Sequence, residues 1–524
     1  MEKLNKKILE KTYSICPECF KNGEIKKIKA EVVEKDGKVW IEKRCKKHGY
    51  FKSIVFNDSK LYYKWIKYKK DGKEHRYISF SKKIKKIDSN PFGKEKLYKK
   101  HISQSVLTNL LVTNRCNLRC SYCFMNAGAT GYVYEPPLED LIKIMKQARN
   151  MKPVPSKAIQ ITGGEPTMRE DLVDIIKAAK DLGFRHVQLN TNGIKLSESL
   201  EYCDEIMEAG INTIYMSFDG VSEKYNPWIE QNKKAIENLR KVDFHSVVLV
   251  PVITKSNLSE VPEIIKFAAK NIDVVRGVNF QPISFCGRLE NASQDFIESE
   301  RVDYFDLFKT IEDGLDKEIT VDDFYPVPFV YPISKLIEKL KGKPQVEFTA
   351  HPSCGGATYV FVSKENGKFK FTPITKIVDV EGLMEFIEKK SKEKSIFGKL
   401  GIGLSLLKNI NKYIKKEGKE LKNLILKAII SGSYDGLREF HYKTLYIGSM
   451  WFQDAWNLNI ERLRRCVIHY ATYEGMVPFC AYNGLGIGEI ERKKYSIPIE
   501  EWEKRTGKRI KDDLWKNGPI TQSL

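Results

Sequence analysis

The sequence predicts an α/β fold, a partial (β/α)6 TIM barrel preceded by a small metal-binding module and followed by a cysteine-bearing region. Three observations predict it. Between Ser105 and Pro282, short apolar runs alternate with amphipathic helical segments through six βα units, a pattern that builds a parallel sheet closing at least partly into a barrel. Three cysteines crowd into CNLRCSYC directly after the first of those runs. Two more cysteine knuckles, CPEC and CKKHG, stand near the start of the chain.

Residues 1–95 read as a β-rich module with a basic linker. Ile28 to Val33 and Lys38 to Lys43 flank Lys35-Asp36-Gly37, a hairpin signal. The Lys-rich stretch from Tyr68 to Lys100, broken at Asn90-Pro91-Phe92-Gly93, reads as the linker. Residues 96–290 form the barrel. Its strands are expected at Val106 to Thr113, Ala158 to Thr162, His186 to Asn190, Asn212 to Phe218, Ser246 to Val252 and Arg276 to Gln281. Helices are expected between them, as at Leu138 to Asn150, Leu172 to Leu182 and Ile229 to Lys241. Residues 291–445 lose this regularity. They carry an aromatic and proline run, Phe324 to Pro332, and a basic amphipathic stretch in which Leu400, Leu404, Leu407, Ile414, Leu421, Leu424, Ile425 and Ala428 recur at helical spacing. Residues 446–524 hold Cys466 and Cys480.

Composition narrows the class. Hydrophobic residues at 42% and charged residues at 30% exclude a disordered or fibrous chain. The longest apolar runs, such as Ser246 to Ile253, fall well short of the ~20 residues a membrane helix needs. The basic start lacks an apolar signal region, so a cytoplasmic protein is expected, at most peripheral to a membrane. A net charge of +21 favours anionic partners: nucleic acid, a membrane surface or a phosphorylated substrate.

Eleven cysteines in such a chain point to metal binding or chemistry rather than disulfides. Cys116, Cys120 and Cys123 can hold three irons of a cubane and leave the fourth open. The next strand runs into Gly163-Gly164-Glu165-Pro166, and two later strands run into Asn192 and into Ser217 and Asp219. All of these lie at the C-terminal rim, where barrel active sites sit. Cys16, Cys19, Cys45 and His48 form a closed tetrahedral set for zinc or a rubredoxin-like mononuclear iron, with a structural role. Cys354, Cys466 and Cys480, with Cys286 as candidate fourth ligand, could converge on an auxiliary 4Fe–4S cluster; the alternative is ordinary buried thiols. Cys203, in a helical segment, reads as core.

The spacing Cys116-x3-Cys120-x2-Cys123, with Tyr122 before the last cysteine, together with the GGEP element, resembles the radical SAM superfamily. The resemblance implies a 4Fe–4S cluster whose open iron takes the amino and carboxylate groups of S-adenosyl-L-methionine. It implies that Gly163, Gly164, Glu165 and Pro166 meet the cofactor's ammonium, and that Tyr122, Asn192, Ser217 and Asp219 complete its site. GYVYEP, QPISFCGR, HPSCGGATYVF and RCVIHYATYEGMVPFCAYNG further resemble the archaeal group that contains the tetraether lipid synthases. That likeness implies carbon–carbon coupling of saturated isoprenoid chains, with an auxiliary cluster storing the first carbon radical. Residues 291–445 would then line a lipid tunnel while basic helices rest on anionic headgroups. The partners so implied are an archaeal phospholipid, an anionic membrane surface and a ferredoxin or flavodoxin as electron donor; nucleic acid is not among them. The same group has been described as pterin methylases, which stands as an alternative, as does an RNA-modifying radical SAM enzyme.

Overall fold

The computed structural model describes residues 6–93, 96–128, 130–393, 408–416 and 443–522. The amino-terminal module is a four-stranded antiparallel sheet of β1 (Lys7–Ile15), β2 (Lys27–Lys35), β3 (Lys38–Cys45) and β4 (Gly49–Phe56), in that order. Lys35 pairs with Lys38 across the expected hairpin. Asp36 and Gly37 between them have φ of 53° and 71°, the two left-handed positions a tight β-turn requires. After β4 a helix, Ser59–Ile66, starts where the Asp58 side chain accepts from the Leu61 N–H at 2.6 Å. It carries Trp65 into the main core, against Tyr304 and Phe308.

The barrel strands are β5 (Leu107–Leu111), β6 (Ala158–Thr162), β7 (His186–Thr191), β8 (Thr213–Ser217), β9 (Val247–Val250) and β10 (Val275–Pro282). The chain then adds β11 (Gly355–Glu365), β12 (Thr444–Met450), β13 (Ile468–Thr472) and β14 (Gly475–Pro478). Their order is β11-β12-β10-β9-β8-β7-β6-β5-β13-β14. The six expected strands pair in parallel, with helices at Leu138–Arg149, Leu172–Asp181 and Ile229–Lys241 between them. β9 ends at Val250, before the expected Val252, because Pro251 has no N–H to give the ladder.

Two strands extend the parallel array beyond the sequence reading. β12 lies parallel beside β10, and β13 lies parallel beside β5, so the carboxy-terminal part of the chain supplies both flanks of the barrel. β11 and β14 then run antiparallel beside them, and β11 pairs in turn with Tyr325–Pro326 and Lys368–Pro373.

The stretch expected as a linker is packed down: Tyr77, Leu97 and Tyr98 are buried. The aromatic and proline run is core, not a tunnel wall. Phe324 is fully buried and stacks on Phe308 at 3.8 Å, and Phe329 meets the Tyr68 ring edge-on at 5.1 Å. Of the amphipathic stretch, Leu400, Leu404, Leu407, Leu421, Leu424, Ile425 and Ala428 lie outside the described residues. Ile414 forms an isolated bridge with Val378. Among the described residues no helix is long and apolar enough to cross a membrane.

Candidate active site and metal centre

A cavity of about 240 Å³ opens at the C-terminal ends of the barrel strands. Cys116, Cys120, Tyr122 and Cys123 line it from the loop after β5, and Gly163, Gly164 and Glu165 from the end of β6. Asn192 after β7, and Ser217 and Asp219 at the end of β8, complete that rim. Pro166 opens the buried turn Pro166–Met168 just beyond the lining residues.

Burial pushes the Cys116 thiol up to about 12, with Glu165 adding to the rise, and holds the Cys120 thiol far above its ordinary value. Thiols in such surroundings become thiolates only against positive charge, which iron supplies. The Leu118 N–H donates to Cys116 Sγ and the Ala127 N–H to Cys123 Sγ, both at 3.4 Å, an arrangement that also favours the anion. The three sulfurs are spread more widely than ligands of one ion, because among the described residues only the amino-terminal set gathers its ligand atoms within 4.8 Å.

The loop is clamped from two sides. After β10, Gly287 lies against the Phe124 and Cys123 backbone, while Arg288 donates to the carbonyls of Cys120 and Ala127 and to Asn126 Oδ1. From the other side the strap formed by residues 513–522 runs across it. Arg115 is held by both carboxylate oxygens of Asp513, the Arg119 N–H donates to the Ile520 carbonyl at 2.6 Å, and the Ser121 N–H donates to the Gln522 carbonyl at 3.2 Å.

Gly164 has no room for a side chain, since a Cβ there would lie 2.2 Å from the Arg115 carbonyl oxygen. The bare backbone lets the Gly164 and Glu165 N–H groups reach the Thr113 and Arg115 carbonyls, both at 2.8 Å, and this joins the end of β6 to the cluster loop. Glu165 is 1% exposed, and burial raises its pKa. Its carboxylate accepts from Thr167, from the Thr191 hydroxyl at 2.7 Å and from the Asn192 N–H at 2.7 Å. Asn192 in turn donates to Asn117 Oδ1 at 2.7 Å. Asp219, pushed up to about 6 by burial, accepts from the Tyr122 hydroxyl and from the Val252 N–H. A Glu165→Ala protein is expected to keep its cluster absorption and lose S-adenosylmethionine affinity by about tenfold or more, because the carboxylate holds the rim and not the cysteines. Titrating cofactor into reconstituted protein checks this, and loss of iron would contradict it.

Cys16, Cys19, Cys45 and His48 come together at the base of the ribbon. Their Sγ and Nδ1 atoms are 3.4 Å apart for Cys16–His48 and Cys19–His48, and 3.9 Å for Cys19–Cys45 and Cys45–His48. Tetrahedral edges around zinc with sulfur ligands are about 3.8 Å, so the donor set fits a closed four-ligand site. The three cysteines pack with Ile283 and Phe285 of the segment after β10, and Tyr122 borders the same cluster. Cys16→Ser is expected to remove one metal ion per chain and to lower the unfolding temperature markedly, since the metal contributes folding free energy. Metal analysis and thermal denaturation, with 5′-deoxyadenosine release measured on the surviving folded protein, separate stability from catalysis.

Burial pushes the Cys466, Cys480 and Cys286 thiols up, and neighbouring thiols add to the rise: Cys480 and Cys354 at Cys466, Cys354 at Cys480, and Cys480 at Cys286. Cys286 and Cys480 both line a small cavity beside the main one. Arg462 donates to Cys354 Sγ at 3.4 Å. Cys203 is buried in its helix, as expected of a core residue.

Sequence reasoning did not single out the inner wall of the cavity or the strap. Asn109, Gln160, Asn279 and Gln281 line that wall. Their signal was polar side chains within otherwise apolar strands.

An open-iron cysteine loop after the first strand of a partial barrel, with a glycine-paired rim beside it, defines the radical SAM class, and the radical SAM superfamily profile matches residues 110–268. The profile described as the HMPTM N-terminal zinc ribbon domain matches residues 8–57. The 7,8-dihydro-6-hydroxymethylpterin dimethyltransferase of Methanocaldococcus jannaschii is 43% identical over 514 residues, covering 94% of this chain and 97% of that protein. The chain belongs to the family of that radical SAM protein. A probable GTP 3′,8-cyclase of Saccharolobus islandicus is 27% identical over 270 residues, 50% of this chain and 80% of its own length. The structure of coproporphyrinogen III oxidase from Escherichia coli superposes with a TM-score of 0.31 at 11% identity, over 63% of this chain and 91% of the other.

These findings overturn the lipid-coupling expectation. The end-to-end relative is a pterin dimethyltransferase and not a tetraether synthase. Among the described residues, moreover, none between Arg288 and Tyr446 lines the cavity. The wall bears carboxamides where an isoprenoid chain would need apolar side chains.

Proposed function

We infer that this chain is a radical SAM methyltransferase acting on 7,8-dihydro-6-hydroxymethylpterin. The observation that carries the reading is 43% identity across 97% of the M. jannaschii dimethyltransferase. Cys116, Cys120 and Cys123 hold the cluster, and the rim from Gly163 to Pro166 with Asn192, Ser217, Asp219 and Tyr122 receives the cofactor. When bound, the 4Fe–4S cluster and S-adenosylmethionine supply a 5′-deoxyadenosyl radical that abstracts hydrogen. Glu165 and Asn192 fix the rim against the cluster loop, and Asp219 fixes the Tyr122 ring. The strap shields the loop's outer side from solvent. The ribbon site holds zinc in a structural role. An external one-electron donor, a ferredoxin or flavodoxin, reduces the cluster.

Cys354, Cys466 and Cys480, with Cys286, are read as the ligands of an auxiliary 4Fe–4S cluster, on the strength of their mutual proximity. A Cys354/Cys466/Cys480 triple serine variant is then expected to lose about four irons per chain while still forming 5′-deoxyadenosine. Unchanged iron content would make these residues packing thiols.

The function itself is tested by expressing the chain in a bacterial host and analysing pterins by mass spectrometry. Pterins heavier by one and two methylene units are expected. Unaltered pterins alongside modified lipid or RNA would overturn the reading.

A further inference from the structure

Below the cofactor rim, the inner wall of the barrel carries a set of carboxamides that the cluster loop and its neighbours leave unused. Asn109 in the middle of β5 pairs in register with Gln160 on β6 and with Tyr470 on β13, so these three stand at one level. Asn279 and Gln281 project from β10 into the same space by strand alternation. Asn109 is 1% exposed and Asn279 5%. Neither Nδ2 nor Oδ1 of Asn109, nor Oδ1 of Asn279, has a hydrogen-bond partner among the described residues. Buried amides without partners are rare, and here they line a cavity at an active-site mouth.

One side of the same cavity is aromatic. Phe452, Tyr470 and Phe479 line it, with Phe452 stacked on Phe479 at 4.0 Å and Tyr470 tilted against Phe479 at 5.5 Å. A flat ring fits such a wall, and orphan carboxamides call for a ring edge that both donates and accepts. A saturated chain would leave them unpaired at a cost.

We propose that Asn109 and Asn279 are the specificity-determining residues of the substrate subsite, reading the 2-amino-4-oxo pyrimidine edge of a pterin; the proposal rests on the pterin reading above. A carboxamide gives one acceptor and one donor to a ring lactam, which presents the complementary N–H and C=O. The second acceptor, Asn279 Oδ1, takes the exocyclic amino group. The aromatic wall receives the ring face.

The test is equilibrium binding to the reconstituted holoenzyme, read by ligand fluorescence. The probes are 6-hydroxymethylpterin and 6-hydroxymethyllumazine, in which oxygen replaces the 2-amino group. Wild type is expected to bind the pterin at least about tenfold more tightly than the lumazine, because a site built for an N–H donor rejects an analogue lacking it. Asn109→Leu and Asn279→Leu should each weaken pterin binding by about tenfold or more, and Asn279→Leu should collapse the pterin-to-lumazine ratio towards one. Cluster absorption should be unchanged in both. Asn109→Asp, which keeps the shape and removes the donor, gives the same reading should the leucine variant not fold. Variants that retain wild-type affinity and discrimination overturn the proposal and leave the pterin reading standing. A wild-type protein that binds neither heterocycle overturns both.

Discussion

Replacing Cys116, Cys120 or Cys123 by alanine is expected to reduce 5′-deoxyadenosine formation to background. The three thiolates hold three corners of a cubane whose fourth iron must stay open for the cofactor. With one of them gone, the cluster either fails to assemble or exposes a second iron, and the single open coordination position is lost. Burial aggravates the loss, because the remaining thiols, with Cys116 already pushed up to about 12, revert to neutral form without metal. Anaerobic reconstitution followed by reduction and chromatography for 5′-deoxyadenosine gives the answer. Wild-type cleavage by any one correctly reconstituted variant would remove these residues from the cluster.

Gly287→Ala is expected to be nearly as damaging, though the residue carries no chemistry. Its φ of 61° is left-handed, and a Cβ would stand 2.4 Å from the Phe124 carbonyl group and 2.5 Å from the Cys123 carbonyl oxygen. Left-handed strain alone costs about 1–3 kcal/mol, and the clash is with backbone rather than with the free end of a side chain. The cluster loop must move, and with it the third cysteine. Iron content and 5′-deoxyadenosine formation should therefore fall together, by about tenfold or more, while the ribbon keeps its metal. Arg288→Lys is the milder companion, because an ammonium cannot reproduce the fork that spans the Cys120 and Ala127 carbonyls and Asn126. A Gly287→Ala protein with full iron and normal cleavage would show that this contact does not position the loop.

The six barrel strands were legible because each is a short apolar run set between amphipathic helices, and Ala158–Thr162 falls where its residues predict. β12 and β13 were not legible as barrel strands. Nothing local to Thr444–Met450 or Ile468–Thr472 tells a strand which edge it will join, and both reach their partners across long separations in sequence. The cysteine loop and glycine rim were readable because their spacing is the chemistry. The aromatic run was misread because stacked core rings and a hydrophobic tunnel share one composition, and only packing tells them apart. Asn109 and Asn279 left a faint trace as polar residues in apolar strands, but periodicity does not distinguish an orphan amide from one satisfied within the fold.

The strap across the cluster loop carries a consequence for the order in which the protein is made. Ser121 and Gln522, which it joins by a backbone hydrogen bond, stand about 400 residues apart in the chain. At ordinary synthesis rates of about 5–20 residues per second, the cysteine loop emerges roughly 20–80 s before its cover exists. β13, which flanks β5, is also late, since Ile468 pairs with Leu107. Through that interval the loop is open to whatever delivers iron and sulfide, and arrival of the strap closes it. Ribosome-bound chains arrested before residue 510 should accordingly accept a cluster faster than the finished apoprotein, and equal rates of uptake would show that the strap is no barrier.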